Sequence, residues 1–479
     1  MVRFDEQVFK PNDIRGVYPR QLHEGFAFML GVAVVKQFGA KRIVIGRDCR
    51  LSSPGLYAAL ACGIESAGGE VGAADLCPME MIYYIMGSRN DFDFGIMVTA
   101  SHNPPQYNGF KLFGQGVRPI DEREGLSRLR PLIETATAPV PDKFTFPPKN
   151  VSLETECVRF ALKAAGVQDV PRLKVVVDPG NGTGGLLWGA LADAAGVRPV
   201  AMNFEPDGRF PSHHPNPARL ANLEPLKGRV LSEGADIGFA YDGDADRTVA
   251  VLSDGQVLDG SAMIVALVER LFAGRPSARC AVNMVTSRKT LDYLRARGQE
   301  PLMAPVGHAK IKRAMQAHPD VGFAGEQSGH YLYREFFCCE SSLVTSLHLM
   351  HLVACGRLAS LVREMPGPWF GPRREPEFRF VRRADALATC QEAAMAGLKE
   401  FPGPQEIMCE WNAEVHRRCK PADIAQADGV RVDYEDWWFS MRPSGTEPIA
   451  RLAIEARSKT ELQAKRRTLT SLFEASRTA

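Results

Sequence analysis

The sequence contains no apolar run long enough to cross a membrane. Its longest such run covers residues 25–35, between Glu24 and Lys36, whereas a spanning helix needs ~20 apolar residues. The first six residues include Asp5 and Glu6, while a secretory signal begins with a basic segment followed by an apolar one. We therefore expect a cytoplasmic protein with no membrane partner.

The sequence also lacks a cysteine framework and an excess of charge. None of its 11 cysteines belongs to a Cys-x-x-Cys pair, so neither a zinc ribbon nor a disulfide scaffold is indicated, and reduced thiols are expected. The 58 Lys and Arg residues nearly balance the 56 Asp and Glu residues, which argues against a dedicated nucleic-acid-binding protein. With 45% apolar and 24% charged residues, the composition excludes a disordered chain.

Strand-like and helix-like segments alternate along the 479 residues, a length that corresponds to about three domains. Apolar runs that begin at Arg42, Leu173 and Cys280 show no polar alternation, which is typical of strands buried on both faces of a parallel sheet. Helices are predicted over residues 56–67, 155–165, 261–272 and 342–354. The alternation predicts α/β domains in series. Proline-rich stretches at residues 138–148 and 365–372 indicate two domain boundaries.

A serine next to a histidine follows the apolar run at residues 94–98. This position puts Ser101 and His102 at the end of a predicted strand, where open α/β sheets bind their ligands. The pair could be a nucleophile beside a proton-transferring group. Residues 99–105 also have the composition of an ordinary turn, so both interpretations stay open.

Three carboxylates at alternate positions follow the apolar run at residues 237–241. Asp242, Asp244 and Asp246 would project to one side of an extended segment, and such hard oxygen ligands suit Mg²⁺. An EF-hand is excluded, because Arg247 occupies the position that its glycine requires. A solvated acidic turn is the alternative, but acids this close repel each other unless a cation lies among them. The motif therefore predicts a metal site.

A glycine-rich turn at residues 180–185, followed by Glu205, matches the dinucleotide-binding fingerprint. Because Pro179 interrupts the junction between strand and loop, a structural turn is favoured, and a nicotinamide-dependent oxidoreductase is kept as an alternative. The histidine pairs 213–214 and 348/351 lack a third ligand nearby, so surface or core roles are favoured over zinc binding.

Two later loops have the composition of ligand-binding loops, although each could be ordinary. Glu326, Ser328 and His330 offer a carboxylate, a hydroxyl and an imidazole within five residues, a set that suits a polyhydroxylated ligand. In residues 442–448, a guanidinium, two hydroxyls and glycine-freed backbone amides are combined. These are the groups of a phosphate cradle.

Together the motifs resemble those of the α-D-phosphohexomutases, in the order in which that family has them. The resemblance extends from residue 12 to residue 448 and therefore covers essentially the whole chain. The matching segments are residues 12–16, 99–111, 242–247, 325–330 and 442–448.

The resemblance implies three tandem related α/β domains and a C-terminal α+β domain of the TATA-binding-protein-like type, arranged around a central cleft. We expect these domains at residues 1–147, 148–253, 254–367 and 368–479. It also implies a phosphoserine enzyme that interconverts hexose 6-phosphates and hexose 1-phosphates of mannose or glucose through a 1,6-bisphosphate. Glucose 1,6-bisphosphate or mannose 1,6-bisphosphate would act as activator, and the protein would be a monomer or weak dimer.

The family's residue roles can be transferred to matching positions of this sequence. Ser101 would accept and donate the phosphoryl group and, with Asp242, Asp244 and Asp246, hold Mg²⁺. Arg15 and Arg247 would supply positive charge, and His102 and Lys111 are candidates for proton transfer. Glu326 and Ser328 would contact the 3- and 4-hydroxyls of the sugar. The expected substrate contacts are His308, Glu326, Ser328, His330, Arg442, Ser444 and Thr446.

Departures from the family pattern concern substrate preference. Val285 stands where related mutases have a lysine, with Arg288 as a candidate substitute. After the loop of Glu326, Ser328 and His330, Cys338-Cys339-Glu340 replaces an acidic pair that is common in the family. A phosphoglucosamine mutase is a second possibility, although Ala245 stands where that group usually has glycine. A non-catalytic sugar-phosphate-binding protein is a third.

Overall fold

The computed structural model describes residues 4–478 except 136–138, 276–277, 366, 368, 370, 372–376, 381–382, 412–413 and 445–448. Contacts divide the chain into two units, Met1–Arg275 with Ser328–Leu361 and Pro276–Gln327 with Val362–Ala479.

The first unit begins with a mixed sheet of six strands. These are β1 (Ile14–Val17), β2 (Arg42–Arg47), β3 (Glu70–Leu76), β4 (Phe94–Val98), β5 (Tyr107–Gly114) and β6 (Arg118–Pro119). The order is β1-β5-β4-β2-β3, with β6 alongside β5. Strand β2 is parallel to β3 and β4, whereas β5 is antiparallel to β4 and β1. The helices of this segment are α1 (Glu24–Phe38), α2 (Ser53–Ser66), α3 (Met79–Ser88) and α4 (Leu126–Glu134).

Helix α1 contains the longest apolar run of the sequence, and this run is buried within the first unit. Residues 26–34 are all buried, so the run serves as a core helix. The backbones of α1 and α2 approach so closely that a Cβ on Gly63 would lie 2.0 Å from the carbonyl oxygen of Phe28. Only glycine fits this contact.

A second mixed sheet follows in the first unit. Its strands are β7 (Val175–Asp178), β8 (Val200–Ala201), β9 (Ile237–Tyr241), β10 (Thr248–Leu252) and β11 (Val257–Leu258), in the order β11-β10-β9-β7-β8. Strand β7 is parallel to β8 and β9, and β10 is antiparallel to β9 and β11. The accompanying helices are α5 (Glu154–Ala164), α6 (Gly185–Ala195), α7 (Glu224–Glu233) and α8 (Gly260–Phe272).

The second unit begins with three parallel strands, and the chain then returns to the first unit. The parallel strands are β12 (Arg279–Asn283), β13 (Leu302–Ala304) and β14 (Val321–Gly325), with β12 between the other two. Helices α9 (Arg288–Ala296) and α10 (His308–Ala317) connect them. The returning segment contains the antiparallel pair β15 (Tyr331–Tyr333) and β16 (Cys339–Glu340), then α11 (Ser342–Ala354) and the first residues of α12 (Leu358–Glu364).

The rest of the second unit is an antiparallel sheet with two long helices. Its strands are β17 (Glu377–Arg379), β18 (Glu406–Trp411), β19 (Glu414–Arg417), β20 (Gly429–Asp433), β21 (Trp437–Pro443) and β22 (Ile449–Ala456), in the order β17-β22-β21-β20-β18-β19. The helices are α13 (Arg383–Glu400) and α14 (Lys459–Thr478). Their apolar residues and one face of the sheet form a common core.

The sequence-based expectations for secondary structure are confirmed at these elements. The apolar runs beginning at residues 42, 173 and 280 contain the parallel strands β2, β7 and β12, and the four predicted helices are α2, α5, α8 and α11. Helix α2 begins earlier than expected, at Ser53, because Pro54 fits the first turn of a helix. Among the described residues, the membrane-span criteria of length and apolar character are met by no single helix, but only by α11 and α12 taken together across the bend between them.

Candidate active site

The loop between β4 and β5 presents Ser101 in a buried position. Ser101 has a left-handed backbone with φ of 50°, which is uncommon for a residue with a side chain. Its hydroxyl donates to Asp242 Oδ2 at 2.6 Å, and its Oγ lies 3.2 Å from His102 Nδ1. The predicted nucleophile, proton-transfer group and metal ligand therefore meet at one point.

The three aspartates lie in the loop between β9 and β10. Ligand-type atoms of Asp242, Asp244 and Asp246 all lie within 4.8 Å of one another, and all three residues are buried. Asp242 Oδ1 accepts from two backbone amides of its own loop, whereas Asp244 Oδ1 is buried and has no hydrogen-bond partner among the described residues. Burial, together with the neighbouring carboxylates, raises the pKa of Asp242 and of Asp244. Such an oxygen set fits a hard divalent cation.

Lys111 partly neutralises this cluster. It extends from β5, and its Nζ donates to Asp244 Oδ2 at 2.8 Å and to Asp246 Oδ2 at 2.5 Å. Burial alone would lower the pKa of Lys111, but the two carboxylates outweigh it and raise that pKa. Lys111 is therefore a fixed cation within the aspartate cluster.

Two arginines and two histidines lie around this cluster in the first unit. Arg15, on β1, donates to Asn103 at 2.9 Å and to Asp13 at 2.6 Å. Burial, and then the charges of Arg247 and Arg15, lower the pKa of His102 well below its usual range. His102 is therefore neutral in this environment.

The contact between Arg247 and His330 assigns the tautomer of this histidine. Arg247 Nε donates to His330 Nε2 at 3.1 Å, and a guanidinium can only donate. The ring proton of His330 therefore resides on Nδ1, which lies 3.5 Å from Asp246 Oδ1 and 3.8 Å from Glu340 Oε1. Ser328 is partly exposed in the turn that precedes this histidine.

The structure reveals supporting residues that the sequence analysis missed. Ser342, at the start of α11, donates to the carbonyl oxygen of Ala245 at 2.7 Å and so supports the aspartate loop from a distant part of the chain. Asp48 and Arg50 follow β2 and contact the Ser101 loop. The sequence could have indicated Asp48 and Arg50, because polar residues directly after a buried parallel strand lie at the ligand-binding edge of a sheet.

In the second unit, Glu326 is held by hydrogen bonds on one oxygen. Glu326 Oε1 accepts from Asn283 Nδ2 at 2.7 Å and from the amide of Gly307 at 3.1 Å. His308 is the first residue of α10 and directly follows Gly307. The structure thus brings the expected substrate contacts Glu326 and His308 together. It adds Asn283 as a residue that holds Glu326.

The predicted phosphate loop begins at the end of β21. Arg442 lies directly opposite Arg451 on β22, and Arg451 forms an ion pair with Glu377 at 3.4 Å. Ser444 is buried, and Thr446 lies outside the described residues. Arg288, the candidate substitute for the missing lysine, donates to Asp292 at 2.9 Å and to Asp433 at 3.3 Å. These ion pairs hold its guanidinium.

The glycine-rich turn at residues 180–185 packs against the aspartate loop. Thr183 donates its amide to the carbonyl of Gly243 at 3.1 Å, and a Cβ on Gly182 would lie 2.8 Å from that same oxygen. The turn is therefore filled by protein backbone where a nucleotide-binding loop would need room for a pyrophosphate. This geometry supports the structural interpretation over dinucleotide binding.

Comparison with known proteins agrees with the order of the motifs. Models of phosphoglucomutase/phosphomannomutase alpha/beta/alpha domains I, II and III match residues 6–137, 155–255 and 259–367, and the model of the C-terminal domain of that family matches residues 382–468.

Similar proteins cover nearly the whole chain. A phosphomannomutase from Salmonella typhimurium is 32% identical, with 97% of this chain and 98% of that protein covered. A phosphomannomutase/phosphoglucomutase from Pseudomonas putida is 29% identical, with 96% and 93% covered. The crystal structure of a phosphoglucomutase/phosphomannomutase family protein from Burkholderia thailandensis matches with a TM-score of 0.80 and 28% identity over 99% of this chain and 98% of that one. The chain belongs to the phosphoglucomutase/phosphomannomutase family, within the α-D-phosphohexomutase superfamily.

Proposed function

We propose that this chain is a hexose-phosphate mutase, an isomerase that interconverts the 6-phosphates and 1-phosphates of glucose and mannose. In this proposal Ser101 is phosphorylated, donates its phosphoryl group to the free hydroxyl of the substrate, and recovers a phosphoryl group from the resulting 1,6-bisphosphate. The observation that supports it most strongly is the 2.6 Å contact between Ser101 Oγ and Asp242. It sets a hydroxyl within a buried cluster of carboxylates and cations.

Ser101, Asp242, Asp244 and Asp246 would hold Mg²⁺. When bound, the ion would neutralise charge on the oxygens of the transferred phosphoryl group. The unpartnered Asp244 Oδ1 and the mutual repulsion of the three carboxylates favour a cation at this place. Lys111 offsets only part of that negative charge.

Arginine side chains supply the remaining positive charge. Phosphoryl transfer depends mainly on positioning and on charge neutralisation. Arg15 and Arg247 are both fixed by hydrogen bonds, to Asn103 and to His330 respectively. They need little reorganisation when a phosphoryl group binds, and we assign them to its stabilisation.

We assign proton transfer chiefly to His102. Lys111 is held as a cation by two carboxylates and cannot accept a proton, whereas His102 is neutral and adjacent to Ser101 Oγ. The negative charges of a phosphoryl group and a bound substrate would raise the pKa of His102. In the first transfer His102 would accept the proton of the attacking sugar hydroxyl and pass it to the departing Ser101 Oγ. In the second transfer it would accept the proton of Ser101 and pass it to the sugar oxygen that leaves the other phosphate.

We assign substrate binding first to Glu326. Glu326 Oε1 is occupied by Asn283 and Gly307, which leaves Oε2 to accept from sugar hydroxyls. The other proposed contacts are His308, Ser328, His330, Arg442, Ser444 and Thr446. Glucose 1,6-bisphosphate or mannose 1,6-bisphosphate would prime Ser101. The partners would be small hexose phosphates in the cytoplasm, with no nucleic acid or membrane, and the protein would be a monomer or weak dimer.

A coupled assay with intact-mass measurement tests this proposal. Glucose 1-phosphate, mannose 1-phosphate and glucosamine 1-phosphate would each be supplied with and without glucose 1,6-bisphosphate. We expect turnover of the first two sugars, stimulation by the bisphosphate, and one added phosphate that is absent from Ser101→Ala. Full activity of Ser101→Ala would contradict the proposal, and a strong preference for glucosamine 1-phosphate would replace it with the phosphoglucosamine mutase alternative.

A further inference from the structure

Arg50 is a fully buried guanidinium that contacts the Ser101 loop at four points. Nη1 donates to the carbonyl oxygens of Pro104 at 2.6 Å and Tyr107 at 2.9 Å. Nη2 donates to those of Ser101 at 2.8 Å and Asn103 at 2.6 Å. The remaining donor, Nε, contacts Asp48 at 3.0 Å. All five N–H groups of the side chain are thereby used.

Asp48 extends this network to the other side of the loop. Its Oδ2 accepts from Thr99 Oγ1 at 2.8 Å, and its Oδ1 accepts from Ser53 Oγ at 2.6 Å. Thr99 Oγ1 in turn accepts from the amide of Ser101 at 2.9 Å. The amide and the carbonyl of Ser101 are therefore both held by the pair formed by Asp48 and Arg50.

A segment between β8 and α7 covers Asp48 and Arg50. The ring of Phe210 lies 5.1 Å from the guanidinium of Arg50. A Cβ on Gly208 would lie 2.4 Å from the carbonyl oxygen of Cys49, so the two backbones touch. Arg50 itself is fully buried, and hydrogen bonds are stronger in such a region of low dielectric than in water.

The presence of this pair is not explained by stability alone. A buried ion pair often contributes no more to stability than apolar residues of the same volume would. The left-handed conformation of Ser101 also costs free energy and persists only where its surroundings enforce it. Arg50 helps to enforce this conformation, because its hydrogen bond holds the carbonyl group of Ser101 in place.

We propose that Arg50 is a positioning residue of phosphoryl transfer, which keeps Ser101 Oγ aimed at the aspartate cluster by holding the carbonyls of residues 101–107. It acts through Ser101. The inference rests on the proposed function, in which Ser101 carries the phosphoryl group. A displacement of about 1 Å at a reacting group can cost about 100-fold in rate, so loosening this loop should reduce transfer by that order.

The test compares Arg50→Met and Arg50→Lys with Arg431→Met. Arg431 is also fully buried and paired with an aspartate, and it donates to the carbonyls of Met284 and Thr286. It therefore matches Arg50 in chemistry, but its hydrogen bonds join residues of the second unit. The readouts are the rate of Ser101 phosphorylation by glucose 1,6-bisphosphate, the affinity for glucose 6-phosphate, and amide hydrogen exchange over residues 101–107.

We expect Arg50→Met to slow Ser101 phosphorylation by about 100-fold and to accelerate amide exchange in the loop, with unchanged affinity for glucose 6-phosphate. Arg50→Lys should be intermediate, because lysine keeps the charge beside Asp48 but reaches fewer carbonyls. Arg431→Met should keep the phosphorylation rate of the wild type. If Arg50→Met does not fold, Arg50→Lys and the double variant Asp48→Asn/Arg50→Met decide the matter.

The outcomes separate the two proposals. A wild-type protein that neither accepts phosphate on Ser101 nor isomerises hexose phosphates would refute the proposed function. An active wild type together with folded Arg50 variants that keep their phosphorylation rate and loop protection would refute the role of Arg50 alone. Equal losses in the Arg50 and Arg431 variants would show a general loss of stability and would also overturn the inference.

Discussion

Arg50 in the first unit and Arg431 in the second are both fully buried, and each lies two residues from its aspartate partner. They distribute their donors differently. Arg50 gives one N–H to Asp48 and four to the carbonyls of a single loop. Arg431 gives two to Asp433 and two to carbonyls of residues 284–286, and it stacks on Trp438 at 3.9 Å.

The difference shows two uses of the same buried ion pair. Arg50 holds the carbonyl groups of the Ser101 loop, whereas Arg431 links the sheet that contains β20 to residues 284–286. The same division extends to the surrounding residues. The first unit concentrates carboxylates and cations around Ser101, while the second provides separate groups, such as Glu326 and Arg442, that suit substrate binding. The proposal therefore predicts that changes at the aspartate cluster affect transfer and that changes at Glu326 or Arg442 affect binding.

The largest effect is expected from Asp242→Asn in the first unit. Asparagine can still accept from the backbone amides of Asp246 and Arg247, but it removes the charge beside Ser101 Oγ. We expect kcat to fall by about 10³-fold, together with weaker binding of Mn²⁺ measured by electron paramagnetic resonance.

Asp178→Asn is the matched control for this change. Asp178 is also a buried carboxylate at the end of a parallel strand, but it accepts from Asn203 and Gly180 and contacts His213. The Asp178→Asn variant should be less stable than the wild type but should bind Mn²⁺ equally tightly. Retention of a tenth or more of the activity by Asp242→Asn, with unaltered Mn²⁺ binding, would show that the first unit does not work as proposed.

The next largest effect is expected from Arg442→Ala in the second unit. A charge-assisted fork to a phosphate contributes about 1.5–3 kcal/mol, which corresponds to about 10- to 150-fold in kcat/KM for glucose 1-phosphate. Ser101 lies in a different loop, so it should still be phosphorylated in this variant. Arg457→Ala is the control, because Arg457 follows the far end of the same strand pair. An unchanged kcat/KM in Arg442→Ala would remove this residue from the binding site.

A third prediction concerns a buried group whose hydrogen bonds are not made, in contrast to Arg50 and Arg431. His348, on α11, is buried, and neither of its ring nitrogens has a partner among the described residues. Burial, and then the charges of Arg270 and His351, lower the pKa of His348 to about 3. The unfolded chain binds a proton near pH 6.5, so the folded state loses stability as the pH falls below that value.

For His348 the loss relative to pH 8 should reach about 2 kcal/mol at pH 5, or about 30-fold in the unfolding equilibrium. Denaturant unfolding of the wild type and His348→Leu at both pH values measures it. The variant should show a correspondingly smaller loss on acidification. A wild type and a variant that respond equally to pH would show that His348 does not titrate on unfolding.

The sequence predicted the fold class and the family, and both are confirmed, because they depend on local patterns. An apolar run without alternation predicts a buried parallel strand wherever it occurs, as at β2 and β7. The domain boundaries and the residue roles stay predictions. Contacts between distant segments could not be anticipated in the same way. Ser342 supports the aspartate loop, and Asn283 holds Glu326, only because tertiary packing brings together residues that no local spacing connects.

The smallest effect is expected from Asn283→Leu, which tests how the second unit holds its carboxylate. Asn283 donates one of two hydrogen bonds to Glu326 Oε1, and the amide of Gly307 retains the other. Losing one of two such bonds should reduce kcat/KM by about 2- to 10-fold. Because Asn283 would act only through Glu326, adding Asn283→Leu to Glu326→Gln should cause little further loss, which is the signature of coupled residues in a double-mutant cycle. Additive losses in the cycle would instead mean that Asn283 contacts the substrate itself. In that case Asn283 would be a sugar contact that the sequence analysis did not predict.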